Sequence, residues 1–316
     1  MKEIKINFVD FWPGFNKTNN YFYNLLIQKY KVIIDEDPEL LFYSCYNSDY
    51  LKYKCTRVFY APENIRPDFS ACDFAFSFDY NKRKNHFRLP LYSLFIDDYE
   101  MLNHLQTIKT RDEATRVWST KSKFCCMVVS NGDSAKRLNF FKKLSKIKKV
   151  DSGGGVLNNV GGKVADKLEF IKDYKFVISF ENSSFDGYTT EKIVQPFFKD
   201  CIPIYWGNKL VNKDFNKKRF IDYNDFSSEE ELISKLLEID QNDELGIGML
   251  MQPTFSPGKI KHHEQQYRVL EILCNIIDSD EKPIADQLWS YIHWSKFIYR
   301  KTRKRVLAKL KKYINT

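Results

Sequence analysis

Along the N-terminal part of the chain, short apolar runs alternate with polar turns. IKINFV (4–9) reads as a strand, and NNYFYNLLIQKY (19–30) as a helix with Phe22, Leu25 and Leu26 at roughly helical spacing. KVIID (31–35), LLFYSC (40–45), RVFYA (57–61) and DFAFSF (73–78) follow as brief apolar runs bounded by Asp, Pro and Asn. Continuous apolar strands of this kind suit a parallel sheet covered on both faces. Over 94–122 the pattern turns polar and helical, and then a second series begins. It runs through the strand FCCMVVS (124–130), the helix SAKRLNFFKKLSK (134–146), a strand end with a glycine loop at KKVDSGGG (148–155) and the strand YKFVISFE (174–181). The helix TTEKIVQPFFK (189–199), the strand IPIYWG (202–207), the helix EEELISKLLEI (229–239) and a long helix HHEQQYRVLEILCNII (262–277) complete it.

Two consecutive α/β series imply an α/β protein with two Rossmann-like domains facing across a cleft. The expected boundary lies near 119–124, giving domains at 1–118 and 119–286. A length of 316 residues accommodates both. The composition, 43% hydrophobic and 29% charged, is that of a globular chain. Aromatic residues reach 16%, which serves either an aromatic core or ring faces that pack on sugar C–H faces. The seven cysteines are scattered, odd in number and without a CxxC pair, so neither a disulfide framework nor a zinc site is expected.

The net charge of +9 has a location. Residues 296–316 hold nine of the 50 Lys/Arg and none of the 41 Asp/Glu, so residues 1–295 carry 41 of each sign. A neutral body without an RNP-type or zinc pattern argues against a basic nucleic-acid-binding protein, the rival suggested by a pI near 9.0. No nucleic-acid partner is expected. MKEIKINFVD reads directly as a strand rather than as a secretory leader, and no window approaches the roughly 18 apolar residues of a spanning helix. A cytoplasmic location is the expectation. Ahead of the nine cations stand Trp289, Tyr291, Trp294, Phe297 and Tyr299, and Val306, Leu307, Leu310 and Ile314 add a rough apolar stripe. A basic, aromatic, amphipathic tail at 287–316 suits an interfacial helix drawn to anionic lipid, with an ordinary solvated helix as the alternative; the first reading places the protein peripherally on the inner face of the cytoplasmic membrane.

In open α/β sheets ligands bind beyond the carboxyl ends of the strands, and four such loops contain unusual residues. The loop at 181–192 leads into a helix whose N-cap is Thr189 or Thr190. Free N–H groups and the positive dipole end there suit a diphosphate, with Lys192 in reach of the same anion and Glu191 able to accept from sugar or ribose hydroxyls. An ordinary capped helix with solvated Glu and Lys would show the same spacing. Pro196 removes a backbone bond and predicts a short or kinked helix. The loop at 130–137 brings Arg137 into a first helical turn, as a phosphate fork or a surface residue. Glu63 lies just past the strand RVFYA, as a general base or a solvated loop residue. Asp151-Ser152-Gly153-Gly154-Gly155 is a turn or a ligand loop, but not a GxGxxG opening a helix. No DxD-type metal motif is evident; Asp97-Asp98 reads as a solvated turn.

Together these segments resemble the glycosyltransferase family 10 fucosyltransferases. The resemblance rests on FENSSFDGYTTEKIVQPFFKDCIPIYWGN (180–208), supported by VSNGDSAKRLNFFKKLSK (129–146), VDSGGGVLNN (150–159), VFYAPENIRPDF (58–69) and FRLPLY (87–92). It covers roughly positions 5–225. It implies a GT-B fold with GDP-fucose bound mainly by the C-terminal domain and an oligosaccharide acceptor over the N-terminal one. It further implies inverting, metal-independent transfer, without a cofactor, to a glycan hydroxyl, the 3-hydroxyl of GlcNAc in a LacNAc- or Lewis-type surface glycan such as lipopolysaccharide. Carried over by position, Glu63 matches the general base, Arg137 and Lys192 match diphosphate ligands, Tyr188 and Glu191 match contacts to the ribose and base region, and Asn182 lies in the same signature. A transferase for another GDP-deoxysugar would share these residues. Heptad repeats that some family members carry before the tail are missing here.

Overall fold

The computed structural model describes residues 1–97, 99–258 and 261–286, together with 295, 298, 299 and 302. Asp98 and, those four residues apart, the tail at 287–316 lie outside the described residues. The strands are β1 (Lys2–Val9), β2 (Tyr30–Ile34), β3 (Leu40–Tyr43), β4 (Thr56–Tyr60), β5 (Phe74–Ser77), β6 (His86–Arg88), β7 (Lys123–Met127), β8 (Val150–Ser152), β9 (Tyr174–Phe180), β10 (Ile202–Trp206) and β11 (Ile221–Asp222). The helices are α1 (Tyr21–Leu26), α2 (Leu91–Phe95), α3 (Tyr99–Gln106), α4 (Arg111–Ser119), α5 (Ala135–Ser145), α6 (Lys167–Ile171), α7 (Glu191–Phe198), α8 (Glu229–Gln241), α9 (Asp243–Leu250) and α10 (His262–Ile277). None of the described helices is long and apolar enough to cross a membrane.

The strands form two parallel sheets, ordered β2-β1-β3-β4-β5-β6 and β8-β7-β9-β10-β11. Both begin with the same winding: the second strand pairs outside the first, and the third pairs on the first strand's other side. The strand order therefore reverses at β1/β3 in one sheet and at β7/β9 in the other, the crevices where open α/β sheets bind ligands.

Two compact units hold these sheets. One gathers Met1–Ser77, Asn81–Leu89 and residues 263–286; the other gathers Phe78–Tyr80 and Pro90–His262. This division differs from the sequence-based boundary near 119–124. Tyr92, Ile96, Met101 and Leu105 are buried against Ile193, Val194, Phe197 and Tyr205, so α2 and α3 cover one face of the second sheet. Trp118 of α4 joins Phe124, Phe140, Phe176, Phe180 and Ile202 on its other face. Burying each such side chain contributes about 1.5–3 kcal/mol, enough to bind the polar 94–122 segment to this sheet. The stretch after α10, expected in the C-terminal domain, belongs to the first unit: the Ile284 N–H donates to Asp73 Oδ1 at 2.7 Å, and Lys2 pairs with Asp278 at 2.8 Å.

In the first unit the aromatic excess builds core. Phe42 stacks on Phe8 at 4.9 Å and on Phe22 at 5.0 Å, and Phe22 also meets Tyr60 and Phe76. The helix expected over 19–30 is only six residues long, capped by the Asn20 side chain, because the chain enters β2 at Tyr30. The helix containing Pro196 is short, as its proline predicts. All seven cysteines are unbonded, and Cys72, Cys125, Cys126 and Cys201 are buried.

Candidate functional site

At the β7/β9 crevice, Arg137 crosses from one loop to the other. It is the third residue of α5 and only 1% exposed, not a surface arginine. Its Nη1 donates to the Phe180 carbonyl at 2.9 Å and to Asn182 Oδ1 at 3.2 Å, and Nη2 donates to the Asn131 carbonyl at 2.7 Å. The guanidinium thus ties the end of β9 to the loop after β7. Its Nε–H is buried without an acceptor among the described residues. Burial lowers the Arg137 pKa, while Glu181, Tyr188 and Glu191 act to raise it.

The loop after β9 is organised by a carboxylate that sequence reasoning left without a role. Glu181 is wholly buried and accepts from the Thr190 N–H and the Thr190 hydroxyl, both at 2.8 Å. Burial raises its pKa, against the pull of the Lys192 ammonium 3.4 Å away. Thr190 rather than Thr189 is the N-cap of α7. Asn208, also wholly buried, accepts from the Gly187 and Leu210 N–H groups and donates to Thr189 Oγ1 at 3.0 Å. Gly187 has φ +90°, and a Cβ there would lie 2.3 Å from the Phe78 carbonyl oxygen, so only glycine fits the turn.

These struts aim Lys192 and Glu191. The Lys192 ammonium donates to Thr190 Oγ1 at 3.0 Å and lies 3.3 Å from Glu191 Oε1. Burial opposes its charge, but Glu181 and Glu191 together raise its pKa. Burial acts to raise the Glu191 pKa, and Lys192 and Lys167 outweigh it, so the carboxylate is held below its ordinary range. Lys167, at the start of α6, is a further cation in this field, its pKa lowered by burial. Sequence spacing carried no signal for it. Neither Glu191 nor Lys192 is the solvated residue of an ordinary helix start: their side chains are 21% and 16% exposed. Asn182 is half-buried beside Arg137, while Tyr188 is buried with its ring edge-on to Phe78 at 5.3 Å. Arg137, Asn182, Tyr188, Glu191 and Lys192 therefore share the carboxyl end of the second sheet. Buried donors, a helix start and cations gathered there suit an anion such as a diphosphate.

The glycine run has a packing role. A Cβ on Gly154 would stand 2.0 Å from the Val129 carbonyl oxygen, so the turn after β8 presses its backbone against the end of β7. Glu63 lies in the first unit, past β4, half-buried, with Oε1 accepting from the Tyr46 hydroxyl at 3.4 Å. Asp97 is not simply solvated: it pairs with the buried His262 at 3.1 Å. Among the described residues no group of three His, Cys, Asp or Glu side chains could hold a metal ion. A cavity of about 620 Å³ beside α3 and α4 lies away from the carboxyl ends of the strands, and its Asp200 carboxylate, just before β10, is already paired with Lys109 at 2.6 Å and His104 at 3.0 Å.

Comparison with known proteins also divides the chain in two, though at other boundaries than the two compact units. Residues 6–95 match the alpha-(1,3)-fucosyltransferase FucT N-terminal domain, and residues 118–278 match the glycosyltransferase family 10 (fucosyltransferase) C-terminal domain. The alpha-(1,3)-fucosyltransferase FucT of Helicobacter pylori is 31% identical over 275 residues, covering 74% of this chain and 56% of that protein. The 4-galactosyl-N-acetylglucosaminide 3-alpha-L-fucosyltransferase 9 of Mus musculus is 34% identical over 131 residues, covering 40% of this chain and 36% of that protein. The chain thus spans little more than half the length of the first of these relatives and about a third of the second. Crystal structures of an alpha1,3-fucosyltransferase superpose with TM-scores of 0.78 alone and 0.74 with GDP-fucose, at 27% and 26% identity. The two alignments cover 90% and 89% of this chain and 92% of each of those chains. The GT-B fold class expected from sequence is the class of these structures.

Proposed function

Because this chain belongs to glycosyltransferase family 10, we propose that it transfers L-fucose from GDP-fucose to the 3-hydroxyl of GlcNAc in a lactosamine-type glycan, with inversion and without a metal. The observation that carries the reading is Arg137, buried across the β7/β9 crevice with its Nε–H unsatisfied, beside the capped start of α7 and Lys192. In this reading Arg137, Lys192 and the α7 N–H groups hold the diphosphate, with Asn182, Tyr188 and Glu191 on the remainder of the donor. Glu63 takes the proton from the acceptor hydroxyl as that oxygen attacks the anomeric carbon. The C–O bond to GDP breaks, and the charge gathering on the leaving diphosphate is met by the cations already in position. Since those side chains supply the positive charge, activity should persist in excess chelator. A surface glycan such as lipopolysaccharide is the acceptor class in this reading.

The tail at 287–316, with its aromatics and nine cations, belongs to the same proposal as an anchor to anionic lipid at the inner face of the cytoplasmic membrane. Incubation with GDP-fucose and LacNAc, lactose and type 1 acceptors tests the reaction: fucosylated LacNAc is expected, and GDP binding with no transfer to any of the three would overturn it. Sedimentation with anionic liposomes, with and without residues 287–316, tests the anchor; equal partitioning would remove it.

A further inference from the structure

The strand order of the first sheet reverses at β1/β3, so the same rule that locates the cation cluster in the second unit locates a crevice here. The residues at that crevice are aromatic. After β1 come Phe11, Trp12 and Phe15, all half-buried, and after β3 comes Tyr46, which is 46% exposed. Phe15 stacks on Phe11 at 4.1 Å and meets Trp12 edge-on at 5.0 Å and 90°, which fixes the indole plane. Tyr46 stands across from Trp12 at 6.5 Å and 73°, making a corner of two ring faces.

The corner is held by backbone, not left to side-chain chance. Asp10, at φ +61°, accepts on its main-chain oxygen from the Tyr46 N–H at 3.1 Å. Its carboxylate accepts from the N–H groups of Asp49 at 2.9 Å and Tyr50 at 2.8 Å. The two loops are thereby locked together. Just past the next strand along, β4, Glu63 accepts from the Tyr46 hydroxyl, so a carboxylate adjoins the corner.

We infer that the Trp12–Tyr46 corner is a binding platform for a neutral pyranose, whose C–H face packs on the rings while a hydroxyl turns toward Glu63. This inference rests on the proposed fucosyl transfer and assigns the residues that recognise the acceptor in it. Two half-exposed ring faces offer what a pyranose C–H face requires. The carboxylate accepts a hydroxyl proton but repels an anionic ligand. Tyr46 acts as a positioning residue for Glu63 as well as a ring face.

The test uses the full chain with GDP-fucose and LacNAc. Trp12→Ala is expected to raise the acceptor KM about tenfold or more, equivalent to ~1.4 kcal/mol, with the GDP-fucose KM and GDP binding within twofold of wild type. Trp12→Phe, which keeps a ring, should fall between. Should Trp12→Ala fail to fold, Tyr46→Ala, at an exposed ring, should show the same rise with unchanged GDP binding. Saturation-transfer NMR of LacNAc against the protein without donor gives a readout independent of turnover, and its signal should vanish in these variants. An acceptor KM and NMR signal unchanged in both alanine variants would overturn the platform while leaving fucosyl transfer intact. Wild type that binds GDP and gives the LacNAc signal, lost in Trp12→Ala, yet transfers nothing would retain the platform and overturn the proposed reaction.

Discussion

Replacing Arg137 by lysine preserves the charge and removes the fork, so it separates the two tasks assigned to this residue. Three acceptors depend on the guanidinium: the carbonyls of Phe180 and Asn131 and the side-chain oxygen of Asn182. They belong to two different segments, the end of β9 with its following loop and the loop after β7, and a single ammonium at the end of a flexible stem cannot meet both carbonyls in the same geometry. At least one carbonyl would lose its donor, at about 1–3 kcal/mol, along with a charge-assisted bond of similar worth. We expect a loss of roughly 2–4 kcal/mol from the second unit. At about 2–4 °C per kcal/mol for a domain of this size, the ligand-free protein should melt ~5–15 °C lower by differential scanning fluorimetry. GDP should also protect less, because ligand stabilisation grows with concentration over Kd and the Nε–H is no longer there. If Arg137→Lys melts with wild type in the absence of ligand, the strut role is wrong, whatever happens to GDP binding.

Asp200 provides a pH test. Burial pushes its pKa up, but His104 and Lys109 outweigh it and hold the carboxyl down to about 2 from an ordinary 3.8. A lowered folded value means the ionised group stabilises the fold above about pH 4 and that this contribution drains as the pH falls towards about 2, roughly 2 kcal/mol in all. Asp200→Asn retains a side chain that accepts the φ of +53°, so a urea series should show lower stability at neutral pH and a flatter acid limb; an unchanged acid limb would contradict the pairing. Gly154→Ala should cost about 3 kcal/mol or more through its collision with the Val129 carbonyl. Gly248→Ala, in α9 with open space around it, should gain about 0.5–1 kcal/mol; melting curves that rank the two the other way would show that the backbone approach at Gly154 is not tight. Glu63→Gln should lower the transfer rate by about 10²–10⁴-fold with GDP affinity unchanged in calorimetry; transfer at a tenth of wild type would remove Glu63 as the base.

Much of the fold is legible because strands covered on both faces declare themselves as apolar runs. FCCMVV and YKFVISF could be read locally, whereas β6, only His86-Phe87-Arg88, and β11, only Ile221-Asp222, are too short and mixed to stand out. Nor does any local pattern say which sheet a helix joins. Tyr92, Ile96, Met101 and Leu105 have helical spacing, but their partners lie some 90–120 positions downstream in Ile193, Phe197 and Phe215. The site divides along the same line. Arg137 and Lys192 are legible because each follows a strand and opens a helix. The burial of Glu181 and Asn208 is not, since a carboxylate or amide after a strand reads the same whether solvated or walled in. The strand order that marks the crevices at β1/β3 and β7/β9 exists only once the sheets are assembled.

In the proposed reaction a fucosyl group leaves GDP and arrives on a particular hydroxyl with its anomeric centre inverted. NMR of the product formed from GDP-β-L-fucose and LacNAc addresses it most directly. A single α-linked fucose on O3 of GlcNAc is expected, formed at undiminished rate in excess EDTA and lost in Glu63→Gln. A β-linked product, or a product formed as fast by Glu63→Gln as by wild type, would contradict it.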